Sequence, residues 1–207
     1  LVANANEGYE FVNWTENGVQ VSTNTTYSFT ATANRTLVAN FRLKTYTITA
    51  TAGAGGNINP AGNVQVEHGS NRLFNITPNT GYEIEDVKVN GVSIGAVSTY
   101  NFTNVTTNHT IHATFRLKSY TIAVSANPQA GGNVGGGGNY THGDTVNLVA
   151  TANEGYEFVN WTENGVQVSA NTTYSFTATA NRTLVANFRL KTYTITATAG
   201  AGGNINP

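Results

Sequence analysis

The chain has 207 residues, of which 10% are charged, and a formal net charge of −1; charges so few and so balanced offer neither a basic footprint for nucleic acid nor a polybasic patch for anionic lipid. No run approaches the roughly 20 apolar residues of a membrane helix, so no membrane insertion is expected of this stretch, and the absence of cysteine excludes disulfides and thiolate metal sites. Thr, Asn, Gly and Val are abundant, Ala is enriched too and Tyr is well represented, a mixture of strand formers and turn formers.

Internal repetition organises everything else. Residues 1 to 60 recur as residues 148 to 207 with two differences, Asn4 against Thr151 and Thr23 against Ala170, so the long period (148 − 1) is 147 residues. A weaker period lies inside it. Thr45-Tyr46-Thr47-Ile48 aligns with Ser119-Tyr120-Thr121-Ile122 and His68-Gly69 with His142-Gly143, an offset (119 − 45) of 74 residues. Phe115-Arg116-Leu117-Lys118 aligns with Phe188-Arg189-Leu190-Lys191 at 73 (188 − 115). Two module types therefore alternate: a partial type A module at 1–44, a complete type B module at 45–118, a complete type A module at 119–191, and the start of another type B module at 192–207.

In chain order, residues 1–44 hold Asn17-Gly18, the strongest short hairpin signal because both central residues of a type I′ turn need positive φ. This stretch lacks the equivalent of residues 119–147, so unpaired or intermolecularly paired strand edges are expected there and at 192–207. The chain starts with neither Met nor a signal-peptide pattern and reads as an internal fragment of a longer array. In Tyr46-Thr47-Ile48-Thr49-Ala50 the period is two, with Tyr46, Ile48 and Ala50 on one face. Asn90-Gly91 turns Val87-Lys88-Val89 back on Val92-Ser93-Ile94. Ile111, Ala113, Phe115 and Leu117 alternate with polar residues in a closing strand. Gly135 to Gly138 reads as a loose hairpin loop, Asn164-Gly165 as another tight turn, and Leu184, Ala186, Phe188 and Leu190 as the next closing strand. No stretch shows a helical period, and roughly six or seven short strands are expected per module. The fold class is all-β: a tandem array of small β-sandwich or β-grasp-like modules with little or no helix. Phe-Arg-Leu-Lys runs straight into Thr45-Tyr46 and Ser119-Tyr120, and a junction without linker predicts a stiff rod of modules.

No catalytic constellation emerges. Asp86 and Asp144 have no convergent partner carboxylate, and Glu83, Glu85 and Asp86 read as a solvated run. His109 and His112, three apart on a strand, point to opposite faces, and His68 and His142 each sit before a turn Gly. The four glycines are followed by no Lys-Ser or Lys-Thr and no helix, so they are not a phosphate loop. Non-enzymatic function and no cofactor are expected. One segment holds binding promise: Gly-Tyr-Glu-Phe-Val-Asn-Trp, with Tyr9, Phe11 and Trp14 in the first copy and Tyr156, Phe158 and Trp161 in the second. Exposed Tyr and Trp stack on sugars and anchor protein contacts; a module this small also needs its largest aromatics inside. Core packing is the first reading, and ligand contact through Tyr9, Trp14, Tyr156 and Trp161 the second. Asn-x-Ser/Thr sequons begin at Asn13, Asn24, Asn34, Asn75, Asn101, Asn104, Asn108, Asn139, Asn160, Asn171 and Asn181, candidate N-glycosylation sites if the source glycosylates.

Tyr140-Thr141-His142-Gly143-Asp144-Thr145-Val146, then Gly155 to Trp161, then Leu184-Val185-Ala186-Asn187-Phe188 resemble the divergent internalin-B B-repeat family of bacterial surface proteins. Residues 1–44 and 119–191 follow the pattern closely, and residues 45–118 more loosely, with Val87 where Trp161 stands. The resemblance implies a compact β-rich module strung in arrays on secreted or wall-attached proteins, as a stalk or adhesive spacer, and brings no catalytic residues. The expected role is a structural stalk or filament component at the cell surface or outside the cell. Its expected partners are neighbouring repeats or copies of itself, and the alternative is an adhesin module for polysaccharide or a surface protein.

Overall fold

A computed structural model describes residues 1–206. Strand takes 58% of the chain and helix 1%, so every layer is a sheet. Two compact units divide at Leu117/Lys118.

The first unit begins with β1 (Tyr9–Glu16), β2 (Val19–Ser22) and β3 (Leu37–Leu43), an antiparallel sheet in the order β2-β1-β3. Eight strands follow: β4 (Thr45–Ala52), β5 (Gly56–Asn59), β6 (Gly62–Glu67), β7 (Arg72–Pro78), β8 (Tyr82–Val89), β9 (Val92–Ser93), β10 (Thr99–Phe102) and β11 (His109–Leu117). They form a five-stranded sheet, β6-β4-β11-β8-β9, and a three-stranded sheet, β10-β7-β5. Of the two expected forms the sandwich is realised, because the second layer is a sheet and no helix crosses the first. The eight strands exceed the six or seven expected; the surplus lies in pieces as short as β9, below the length at which periodicity is readable.

The opening and closing strands pair in parallel, β4 with β11 from Ile48↔His109 to Ala52↔Ala113. A parallel pair needs a long crossover, and the rest of the module supplies it, so the two ends of each module meet at the centre of its larger sheet. Alternation then does the sorting. Ile48 and Ala50 of β4, Val64 and Val66 of β6, Phe74 and Ile76 of β7, and Ile111 and Ala113 of β11 are buried together with Val87 and Phe102.

The second unit repeats this with β12 (Ser119–Asn127), a 3₁₀ turn (Gln129–Gly131), β13 (Gly132–Gly135), β14 (Gly138–Thr141), β15 (Thr145–Ala152), β16 (Tyr156–Glu163), β17 (Val166–Ser169), β18 (Thr173–Thr177) and β19 (Arg182–Leu190). Its sheets are β14-β12-β19-β16-β17 and β13-β15-β18, closed over Ile122, Val146, Leu148, Trp161, Leu184 and Phe188. Residues 191–206 form no strand.

All three Asn-Gly pairs are double positive-φ turns, Asn17 48° and Gly18 81°, Asn90 50° and Gly91 81°, Asn164 51° and Gly165 79°. The four glycines are not a hairpin loop: β13 pairs with β15 and β14 with β12, so Gly136-Gly137 carry the chain from one sheet to the other. Leu117 and Leu190, expected to face inward, are 39% and 64% exposed. They are the last residues of their strands, beyond the cover of the second sheet.

Candidate functional site

The Gly-Tyr-Glu-Phe-Val-Asn-Trp segment forms β1 and β16, and a bulge decides where its rings go. Pairing of β16 with β19 slips between Phe158 and Asn160, leaving Val159 as the extra residue. The bulge brings Phe158 and Trp161, three positions apart, to ring centroids 6.1 Å from each other, with Phe158 edge-on to Phe188 at 5.8 Å. Strict alternation would separate them; the bulge is what puts both inside. Trp161 is 0% exposed and Trp14 7%, so the ligand-contact reading of these two residues is corrected: a buried indole has no face to offer a sugar. The Trp161 Nε1–H donates to Thr172 O at 3.4 Å, whereas Trp14 Nε1 has no partner.

Tyr156 is half-buried, and its neighbours reveal a device that the sequence reading missed. Gly131-Gly132 lies flat against Tyr156 and Phe188: a Cβ on Gly132 would stand 2.5 Å from Phe188 Cζ and 2.5 Å from Thr151 O. In the type B module a Cβ on Gly55 would stand 2.3 Å from Tyr82 Cδ1, and one on Gly56 2.3 Å from Phe115 Cε1. The recurrent Ala-Gly-Gly-Asn at 54–57 and 130–133 was the available signal. In residues 1–44 the equivalent pair, Tyr9 and Phe41, borders an open recess with Asn4 and Asn6, and Phe41 is 38% exposed against 5% for Phe188.

The outer face of this sheet carries a side-chain amide ladder. Asn160 Nδ2 donates to Gln167 Oε1 (2.8 Å), Asn187 Nδ2 to Asn160 Oδ1 (2.8 Å), and Asn127 Nδ2 to Asn187 Oδ1 (3.4 Å). Asn13 repeats it with Gln20 and Asn40. Glycosylation at Asn13 or Asn160 would place a sugar on a ladder Nδ2 that already donates to Gln20 or Gln167. Asn108 and Asn181 accept from the backbone N–H of Thr47 and Thr121, and Asn139 accepts from the Thr121 hydroxyl. Asn104 stands at positive φ. Asn24, Asn34, Asn75, Asn101 and Asn171 are exposed, with no side-chain amide bond among the described residues.

Arg182 opens β19 in a clamp. Its Nε donates to both Glu163 oxygens (3.0 and 3.1 Å) and its Nη2 to Oε2 (2.6 Å), while its Cζ lies 4.1 Å from the Phe176 ring centroid. This bidentate bond holds the Glu163 carboxyl below the usual glutamate range and raises the arginine. Because the folded-state value is depressed, the stabilisation is present above the unfolded value and lost as pH falls through the folded one. Glu163→Gln is therefore expected to cost up to about 1 kcal/mol at neutral pH, discounted for partial solvent screening, and nothing once both forms are protonated. Urea titrations at neutral and acidic pH check the convergence. Asp144 is lowered likewise, accepting from the Thr141 hydroxyl (2.6 Å) and backbone N–H (2.7 Å).

The histidines have structural partners. His112 Nδ1 lies 2.7 Å from Thr51 Oγ1 and His109 Nδ1 3.0 Å from Asn90 Nδ2. His68 and His142 pack on Tyr46 and Tyr120 at 5.9 and 6.0 Å. Among the described residues no group of three His, Asp or Glu could hold a metal. Glu83 is bound to Arg116 at 2.7 Å and Asp86 accepts from Ser93 Oγ at 2.6 Å, while Glu85 faces solvent.

Inside the first unit one residue, Lys44, joins the first repeat to the second. Its N–H donates to Gly8 O, and its C=O accepts from the N–H of His68, both at 2.8 Å. The His68 ring lies where a Gly8 side chain would be, 2.3 Å from an ideal Cβ, and Gly8 has φ of 77°. Within the second unit Lys191 N–H donates to Gly155 O and His142 N–H to Lys118 O in the same way.

No curated protein matches the sequence. A family model, the divergent InlB B-repeat domain, matches three times, at residues 1–45, 46–119 and 122–192. With most of its length matched in three tandem stretches, the chain belongs to the divergent InlB B-repeat domain family.

Proposed function

We propose that this chain is a non-catalytic structural stretch of a stalk or filament, carried on a cell surface or outside the cell and built by tandem addition of modules. The family is typically surface-associated, which supports the location. The observation that carries the role is the junction at Lys44: one residue, with main-chain hydrogen bonds on either side and the His68 ring seated on Gly8. A junction tied in this way resists bending, as in solenoid arrays where neighbours contact only neighbours. Burial of both tryptophans takes the two largest aromatics out of any adhesin surface, so the stalk reading is preferred to polysaccharide binding. The partners it implies are neighbouring repeats.

Electron microscopy of chains carrying one, two and three 147-residue periods tests the reading. Contour length is expected to rise by an equal increment per period. Compact particles whose longest dimension does not grow in proportion would defeat it.

A further inference from the structure

The three Asn-Gly turns share one backbone geometry but not one chemistry. All three asparagines are exposed, and no atom outside the turn lies within 4 Å of a Cβ built on Gly18, Gly91 or Gly165. The difference is in the side chains. Asn90 is tied twice: its Oδ1 accepts from the Thr110 backbone N–H at 2.9 Å, and its Nδ2 donates to His109 Nδ1 at 3.0 Å. His109 is itself held, its ring 4.9 Å from Phe102 and its Nε2 3.4 Å from Thr107 Oγ1. In type A modules the residue equivalent to His109 is Arg35 or Arg182, and each guanidinium is turned to Glu16 or Glu163. Asn17 and Asn164 have no side-chain hydrogen bond among the described residues.

We propose that Asn17 and Asn164 are sites of self-catalysed deamidation and that the type B module protects its counterpart, Asn90. The backbone nitrogen of the following glycine attacks the side-chain Cγ, a bond the unbranched glycine leaves open. The Cγ–Nδ2 bond breaks, ammonia leaves with the amide proton, and a five-membered imide remains. Water then opens either carbonyl, giving aspartate or isoaspartate, with no oxidant or reductant involved. Asn90 must first surrender two hydrogen bonds to bring its Cγ to Gly91 N, which at ordinary bond strengths slows it roughly tenfold or more. Each event makes a neutral hairpin tip anionic, and reaction at both takes the net charge from −1 to −3 (−1 − 2). An array would thus acquire charge with age first on its type A modules.

The test incubates the full folded chain in mildly alkaline buffer and follows proteolytic peptides by mass spectrometry; Thr23 and Ala170 distinguish the two otherwise matching type A peptides. Asn17 and Asn164 are expected to convert at similar rates, each roughly tenfold or more faster than Asn90. His109→Ala is expected to raise the Asn90 rate toward theirs. Equal rates at all three sites, faster reaction at Asn90, or no conversion at Asn17 and Asn164 while an unfolded control reacts would each overturn the proposal. The comparison within the unsubstituted chain decides even if His109→Ala misfolds.

Discussion

Trp161→Ala is expected to destabilise the second unit by about 3–5 kcal/mol, the range for removing a fully buried large aromatic. Trp161 is the largest side chain at 0% exposure. Its ring packs at 6.1 Å from Phe158, which in turn meets Phe188. Its N–H also reaches Thr172 O, so truncation removes packing and a hydrogen bond together. Small modules hold little stability in reserve, and this loss is a large share of the total. Urea unfolding followed by circular dichroism measures it. Trp14→Ala provides the comparison within the chain: the same residue in a nearly identical sequence, but 7% exposed and with Nε1 unpartnered, and a smaller loss is expected. Equal losses would mean that burial in the complete module adds nothing to the tryptophan's contribution.

Gly136→Ala is expected to cost about 2–5 kcal/mol, combining roughly 1–2 for a non-glycine residue at positive φ with about 1–3 for forced overpacking. Gly136 has φ of 90°, and a Cβ there would stand 2.1 Å from Asn147 O. The obstacle is backbone, and no side-chain rotation relieves it. One residue earlier in the same run, Gly135 has open space around its Cβ position, so Gly135→Ala is expected to stay within about 0.5 kcal/mol, as an ordinary surface change does. Thermal or urea unfolding of the two variants separates a run of glycines kept for flexibility, where the costs would match, from one in which Gly136 meets a backbone wall that Gly135 does not.

The strand beginning at Thr45, the closing strand ending at Leu117 and the Asn90-Gly91 turn were legible, because alternation and positive-φ turn chemistry act over a few residues. The module repeat was legible because near-identity needs no energetics. The bulge at Val159 was not. It shows only as Phe and Trp three apart in a strand, and the choice to bury both depends on the room that β19 and the second sheet leave. The tetraglycine crossing and the Gly-Gly seat on Tyr156 and Phe188 were hidden for a related reason: each glycine answers to an atom far away in the chain, Asn147 O or the Phe188 ring.

The fold class, the tandem modules and the family pattern are thus determined by the sequence alone, since they rest on periodicity and repetition, which are properties of local order. Which aromatics are buried, which asparagine is pinned and how one repeat is tied to the next at Lys44 were decided only in the tertiary structure. Parallel pairing of a module's first and last strands brings residues some 60 positions apart into contact, from Ile48↔His109 and from Ile122↔Arg182, and no local signal in the chain carries that distance.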